Sequence, residues 1–350
     1  MNQSTIHVDM PALSKQLTAR QVFKQIFGCL LAFLCLMWVF HDIHYRELLQ
    51  NMSAINWWWI IPAVACDILG YVFQGQRWQL LLRHLGSISI LDATKAVYAG
   101  LFTNEILPLR IGELVRTYLV ARWLSIRFVA AIPSIVIERL FDGIWLGIVL
   151  GTTAIVLEEF PQELLQTADN LGIAILAITG LFLYLIMFRR QKRNSVQDGK
   201  HINWRPLRII VLLFRQIGDE IHALGASKFF YLSFIVSSLV LIFQILAFWF
   251  VMLGYGLHSS FLVGTAVFLF IRLGTLLPNA PSNVGTYQFL CVTGLMFFGV
   301  DKTTAAAFSV VVFVIITVPL WAVGLFAISR CGLTTKQILD EIRIVMPKAK

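Results

Sequence analysis

The chain has 350 residues, 58% apolar and 13% charged, with mean hydropathy +0.77 and a formal net charge of +9. Soluble domains carry about 25% charged residues, so this chain cannot cover a water-facing surface. Its apolar runs extend from end to end, which excludes a soluble enzyme on a single anchor. The basic residues sit in short loops beside those runs, the pattern of topogenic and lipid-contacting charge rather than of a nucleic-acid surface.

Residues 1–20 are polar, and no small-residue cleavage site follows the first apolar run, so 22–40 reads as a retained span. A helix crossing the hydrocarbon needs about 20 residues. Further full-length spans are expected at 57–76, 128–157, 171–188, 229–253 and 304–329. Trp57, Trp58 and Trp59 open the second of these where an interfacial aromatic belt belongs. Two other apolar regions are broken at mid-length: 93–124 by Leu107-Pro-Leu-Arg-Ile-Gly112, and 260–299 by Leu277-Pro-Asn-Ala-Pro-Ser-Asn-Val-Gly285. Each half is too short to span, which predicts re-entrant hairpins.

The segment 189–208 is a basic, linker-like loop suited to anionic inner-leaflet lipids. In 207–226, Ile209, Leu212, Leu213, Ile217, Ile221 and Leu224 recur at helical spacing opposite Arg215, Asp219, Glu220 and His222. Such a helix either lies on the inner leaflet or packs on the other cytoplasmic loops. Cys29, Cys35, Cys66, Cys291 and Cys331 show no CxxC spacing, and His41, His44, His222 and His258 have no second ligand at metal spacing, so no metal site or cofactor is expected.

With a cytoplasmic N-terminus, most of the 28 basic residues, Arg77 among them, fall inside and only Arg46 and Lys302 fall outside. The expected architecture is therefore an all-α polytopic membrane protein. It has about six full transmembrane helices plus two re-entrant hairpins, a single membrane domain over 1–350 with both termini cytoplasmic. Pro108-Leu-Arg-Ile-Gly112-Glu113 aligns without a gap with Pro281-Ser-Asn-Val-Gly285-Thr286, and each stretch leads into a short apolar arm and then a full span. The units 93–157 and 260–329 thus read as an inverted repeat, whose breaks point to the site. The loop with its amphipathic helix occupies 189–228, and 330–350 is a cytoplasmic tail.

Eight charges lie at or near membrane depth: Glu105, Arg110, Glu113, Arg116, Glu138, Arg139, Asp142 and Arg272. Each costs about 2.5–3.5 kcal/mol at the bilayer centre on insertion scales. Glu138 and Asp142 share a helix face, and Glu113 and Arg116 are spaced to pair along one arm. The set reads as a substrate pathway or as an ion-pair network holding hairpin to span, and the first reading is preferred. The arginines favour an anionic group such as phosphate. Backbone N–H groups at Gly112 and Gly285, where the returning arms begin, would add to that preference. Asp67 in the second span is unpaired in sequence and is expected either to contact one of these arginines or to snorkel.

The stretches Asn104-Glu-Ile-Leu-Pro-Leu-Arg-Ile-Gly-Glu-Leu-Val-Arg116, Glu138-Arg-Leu-Phe-Asp142 and Pro278-Asn-Ala-Pro-Ser-Asn-Val-Gly-Thr-Tyr287 resemble the flippase-like membrane domain of lysylphosphatidylglycerol synthases, over nearly the whole chain. The resemblance implies an inner-membrane protein that moves anionic or modified phospholipid between leaflets. It maps the family's charged positions to Arg110, Glu113, Arg116, Glu138, Arg139 and Asp142. Two positions depart from the family pattern: Gln288 stands where Glu is common, and Phe313 where the last span often carries His. Both remove a titratable group. The chain ends shortly after its last span, so the aminoacyl-transferase domain of full synthases is expected to be absent.

The leading expectation is a lipid translocase with no catalytic residues. Arg110 and Arg139 hold the phosphate; Glu105, Glu113, Glu138 and Asp142 orient them or receive a cationic headgroup; Arg272 serves the opposite hairpin. Asn104, Gly112, Arg116, Gly285 and Gln288 complete the expected substrate-binding set. The alternative is a membrane-embedded transferase on a lipid or polyprenyl-phosphate donor, with Glu105 or Asp142 as base. Against it stand the lack of an Asp-rich metal motif, a nucleotide loop or a large sugar-nucleotide-binding loop. A third class, a non-transporting partner recruited through the 189–208 loop and the tail, is disfavoured by the ordinary positive-inside reading of those residues.

Overall fold

The computed structural model describes residues 28–41, 43, 55–106, 112–126, 128–157, 228–275 and 281–331. Among them the secondary structure is helical: α1 (Gly28–Phe40), α2 (Trp57–Leu82), α3 (Ile90–Ile106), α4 (Gly112–Trp123), α5 (Phe128–Val156), α6 (Lys228–Tyr255), α7 (Phe261–Gly274), a 3-10 turn (Pro281–Asn283), α8 (Thr286–Phe297) and α9 (Lys302–Arg330). α2, α5, α6 and α9 are long and apolar enough to cross a membrane. The protein is an all-α polytopic membrane protein. The expected span 171–188, the basic loop 189–208, the amphipathic segment and the C-terminal tail lie outside the described residues.

Side-chain caps start several helices where the sequence offers a short polar residue. Asn56 accepts from the Trp58 N–H at 3.1 Å, Ser260 from Val263 at 3.3 Å, and Asp301 from Thr304 at 3.0 Å. Trp57 and Trp58 stand exposed at the start of α2, while Trp59 stacks on Phe250 of α6 with ring centroids 5.8 Å apart.

α2 and α6 pack along each other and carry the rest. They meet at Gly70, where an added Cβ would lie 3.5 Å from Gln244, and Phe73 stacks on Phe243 nearby. The two ends of α2 enter different cores, the first of them shared with α6. Ile60, Ala63, Phe248 and Met252 join α7, α8 and α9 around Cys291, Leu295 and Phe308. Trp78 and Leu82, at the other end of α2, join α3 and α4 around Val97, Val115 and Leu119. Small residues allow the close crossings: an added Cβ at Gly100 would meet the Gly112 carbonyl at 2.7 Å, and one at Gly324 would meet Phe102 at 2.6 Å.

The order of helix lengths is similar in the two halves of the described structure. The helices α2, α3, α4 and α5 run 26, 17, 12 and 29 residues; α6, α7, α8 and α9 run 28, 14, 12 and 29. A break falls between the second and third member of each set. The two breaks meet in space: the Ser282 hydroxyl of the 3-10 turn donates to the Glu105 carbonyl at the end of α3, 2.9 Å away.

One boundary departs from expectation with a consequence. The second span does not stop at Gln76; α2 continues to Leu82, and Arg77 is 1% exposed inside the bundle rather than in a cytoplasmic loop. Trp78, Leu80, Leu81 and Leu82 keep the helix buried beyond the arginine, and partners on α5 neutralise it.

A buried ion chain beside two capped helix breaks

Six charges form one alternating chain: Glu113, Arg139, Asp142, Arg77, Glu138, Arg116. Arg139 pairs with Glu113 and lies 3.6 Å from Asp142. Arg77 reaches Asp142 through Nη1 and Glu138 through Nη2, and Nη1 also lies 3.3 Å from the Ser237 hydroxyl of α6. Arg116 closes the chain on the second oxygen of Glu138 at 2.6 Å. Three acids balance three guanidiniums, so the chain is neutral within itself.

Its two ends differ. The Arg77, Arg116 and Glu138 side chains are 1%, 4% and 2% exposed, whereas Arg139 is 46% exposed, with Glu113 and Asp142 at about a quarter. At the buried end Arg116 also lies over the Trp78 ring, 4.8 Å from its centroid, and the Trp78 indole donates to Ser134 at 3.0 Å. Each buried guanidinium is paired through its Nη atoms, as an unpaired one in low dielectric is strongly disfavoured, while the Nε atoms of Arg77 and Arg116 have no hydrogen-bond partner among the described residues.

The expected face-sharing of Glu138 and Asp142 is present, since one guanidinium holds both. The expected pairing of Glu113 with Arg116 along α4 is not. Instead Glu113 crosses to Arg139 and Arg116 crosses to Glu138, both on α5. An intrahelical pair would leave two adjacent charges of α5 short of partners, so cross-pairing satisfies more buried charge.

The helix breaks also hold a correction. The N–H of Gly112, expected to await an anion, donates to the Asn104 side-chain oxygen at 2.7 Å. The N–H of Gly285 donates to the Gln288 side-chain oxygen, also at 2.7 Å. The starts of α4 and α8 are therefore each capped by a side-chain amide. Gly285 has φ +83°, and Ser282 and Asn283 have φ +57° and +52°, so the second break is a left-handed turn. Phe313 packs against Tyr287, with ring centroids 5.5 Å apart.

The predicted site residues thus fall into separate groups. Glu113, Arg116, Glu138, Arg139 and Asp142 share the ion chain; Asn104, Gly112, Gly285 and Gln288 form the caps. Glu105 and Arg272 belong elsewhere, within electrostatic reach of Tyr71, as are Asp67 and Tyr98. Arg110 lies outside the described residues. The residue that sequence reasoning missed is Arg77. The apolar residues Trp78, Leu80, Leu81 and Leu82, interrupted only by Gln79, were the available signal that α2 continues beyond it.

A polytopic helical bundle with an intramembrane chain of paired arginines and carboxylates defines a membrane-embedded protein whose charges are retained inside the fold. The family described as the lysylphosphatidylglycerol synthase TM region matches residues 25–324, and the chain belongs to it. It is 24% identical over 306 residues to the UPF0104 membrane protein MJ1595 of Methanocaldococcus jannaschii, covering 82% of this chain and 89% of that protein. A UPF0104 membrane protein of Methanothermobacter thermautotrophicus is 23% identical over 299 residues, covering 81% and 86%.

Proposed function

We propose that the protein is a lipid translocase of the cell inner membrane, a flippase or scramblase moving an anionic or aminoacyl-modified phospholipid between leaflets. The observation that carries this reading is the asymmetry of the ion chain. Arg116 and Arg77 are enclosed, while Arg139 presents a half-exposed guanidinium at the end of the chain. A phosphate diester arriving there would bind the guanidinium through two oxygens in place of its single contact with Glu113, and the displaced carboxylate would be free to receive an amino headgroup. Because the chain is neutral, an anion is accommodated by exchange of partners rather than by an unbalanced buried charge.

In this reading α3–α4 and α7–α8 are re-entrant hairpins entering from opposite sides, in the units 93–157 and 260–329. Their contact through Ser282 and the Glu105 carbonyl supports a meeting near the midplane. Both termini face the cytoplasm, and the 189–208 loop meets anionic inner-leaflet lipids. Arg110, in the first break, is assigned to the same phosphate path.

The test is transbilayer movement of labelled anionic, zwitterionic and lysyl-modified phospholipids in proteoliposomes, beside an Arg110→Ala, Arg139→Ala double variant. Movement that the double variant loses supports the assignment. Equal movement by both proteins overturns the site, and no movement of any lipid by folded protein overturns the translocase reading.

A further inference from the structure

A second polar group lies on α2 away from the ion chain. Asp67 is the eleventh residue of the 26-residue helix, hence near its middle, and is 3% exposed. Its Oδ2 has no hydrogen-bond partner among the described residues, and neither does the Tyr98 hydroxyl on α3, itself in a residue 3% exposed. A carboxylate at mid-membrane with an unpartnered oxygen is among the least favourable groups a bundle can hold in ionised form. The six charges of the ion chain are arranged so that each faces an opposite charge; Asp67 has no such ion pair among the described residues.

The surroundings say which ligand fits. From α2 itself come Cys66 and Tyr71, and from α3 come Tyr98 and Glu105; Arg272 of α7 reaches Tyr71. From α8 come Tyr287 and Cys291. The described part of α1 carries only Cys29 and Cys35 as titratable groups. Between its terminal residues Tyr231 and Tyr255, α6 contributes none, and α9 contributes none between Lys302 and Arg330. Of the charged residues of α5, Glu138 and Asp142 hold Arg77, ten positions further along α2, and Arg139 pairs with Glu113. Tyr71 and Tyr98 stand 5.3 Å apart, centroid to centroid. The packing encloses Asp67, which is 3% exposed, and protonation is the least demanding way to neutralise its unpartnered oxygen.

We infer that Asp67 is a proton-binding site, distinct from the arginine chain, that takes up and releases one proton during the transport cycle. Protonation forms an O–H bond on the carboxylate and removes one negative charge from the bundle centre, with no change in electron count. Tyr98, within electrostatic reach of Asp67 and with its own hydroxyl unpartnered among the described residues, is assigned as the exchange partner. The neutral form suits the enclosed state described here; release requires a state in which α3, carrying Tyr98 and the capped break, moves away from α2. The coupling to transport rests on the lipid-translocation reading. The proton site itself does not.

The experiment has two arms, on full-length protein that elutes as a single species. Infrared difference spectra between acid and alkaline buffer are recorded in nanodiscs for wild type, Asp67→Asn and Tyr98→Phe. The wild type is expected to show a protonated-carboxyl band that Asp67→Asn loses and Tyr98→Phe shifts; identical bands in wild type and Asp67→Asn overturn the proton site. In proteoliposomes, an imposed pH gradient is expected to change the initial rate of labelled phosphatidylglycerol movement in wild type and not in Asp67→Asn. An unchanged gradient response in Asp67→Asn overturns the coupling. Wild-type protein that moves no labelled lipid contradicts the translocase reading alone, and the infrared band still decides the proton site.

Discussion

The guanidinium of Arg77 closes on Glu138 across 61 residues of sequence, and both side chains are almost completely withdrawn from solvent. The same guanidinium holds Asp142 one turn further along α5 and touches Ser237 on α6. One side chain thereby ties α2, α5 and α6 together. Removing one partner of a buried charge pair costs about 3–5 kcal/mol. Arg77→Met is therefore expected to lower the thermal unfolding midpoint in detergent sharply. Arg139→Gln, at the half-exposed end, is expected to cost about 0–1 kcal/mol. Equal losses for the two variants would contradict the division of the chain into a structural and an accessible end.

The crossing of α3 and α4 depends on two glycines. A Cβ at Gly112 would lie 1.8 Å from the Gly100 carbonyl oxygen. No side-chain rearrangement relieves a clash with backbone, so Gly112→Ala is expected to prevent accumulation of folded protein. Gly147, within α5, has nothing within 4 Å of its missing Cβ. Gly147→Ala is expected to be neutral or stabilising by about 0.5–1 kcal/mol. Size-exclusion profiles of the two variants side by side check the contrast.

The amide caps give a graded prediction. Losing a helix cap costs about 0.5–2 kcal/mol, so Asn104→Ala and Gln288→Ala should each destabilise by about that amount. Gln288→Glu keeps an oxygen in place to accept from the Gly285 N–H and is expected to retain wild-type stability, measured as the unfolding midpoint. A loss as large as that of Gln288→Ala would show that the amide is needed for something besides the cap.

Much of this architecture was legible in the sequence because the bilayer simplifies the problem: length and hydropathy alone place α2, α5, α6 and α9. The helices α4 and α8 start where the glycines at 112 and 285 suggested, and Glu138 and Asp142 share the face that their spacing gives them. What was hidden depends on contacts between helices. Arg77 looked like a topogenic loop charge because its neutralising partners are more than 60 residues away. Glu113 and Arg116 looked like a local pair because helical spacing says nothing of a second helix offering both opposite charges. The caps at Asn104 and Gln288 were equally invisible, since a freed N–H and a capped one have the same sequence.

The central claim is that the accessible end of the ion chain handles a lipid phosphate while its buried end holds the bundle together. Its most direct test is the initial rate of labelled phosphatidylglycerol movement in proteoliposomes of wild type, Arg139→Gln and Arg139→Lys, with unfolding midpoints measured on the same preparations. The account predicts loss of movement in Arg139→Gln at near-native stability, and only partial rescue by lysine, which cannot bind phosphate through a planar fork. Movement at the wild-type rate in a stable Arg139→Gln protein would contradict it.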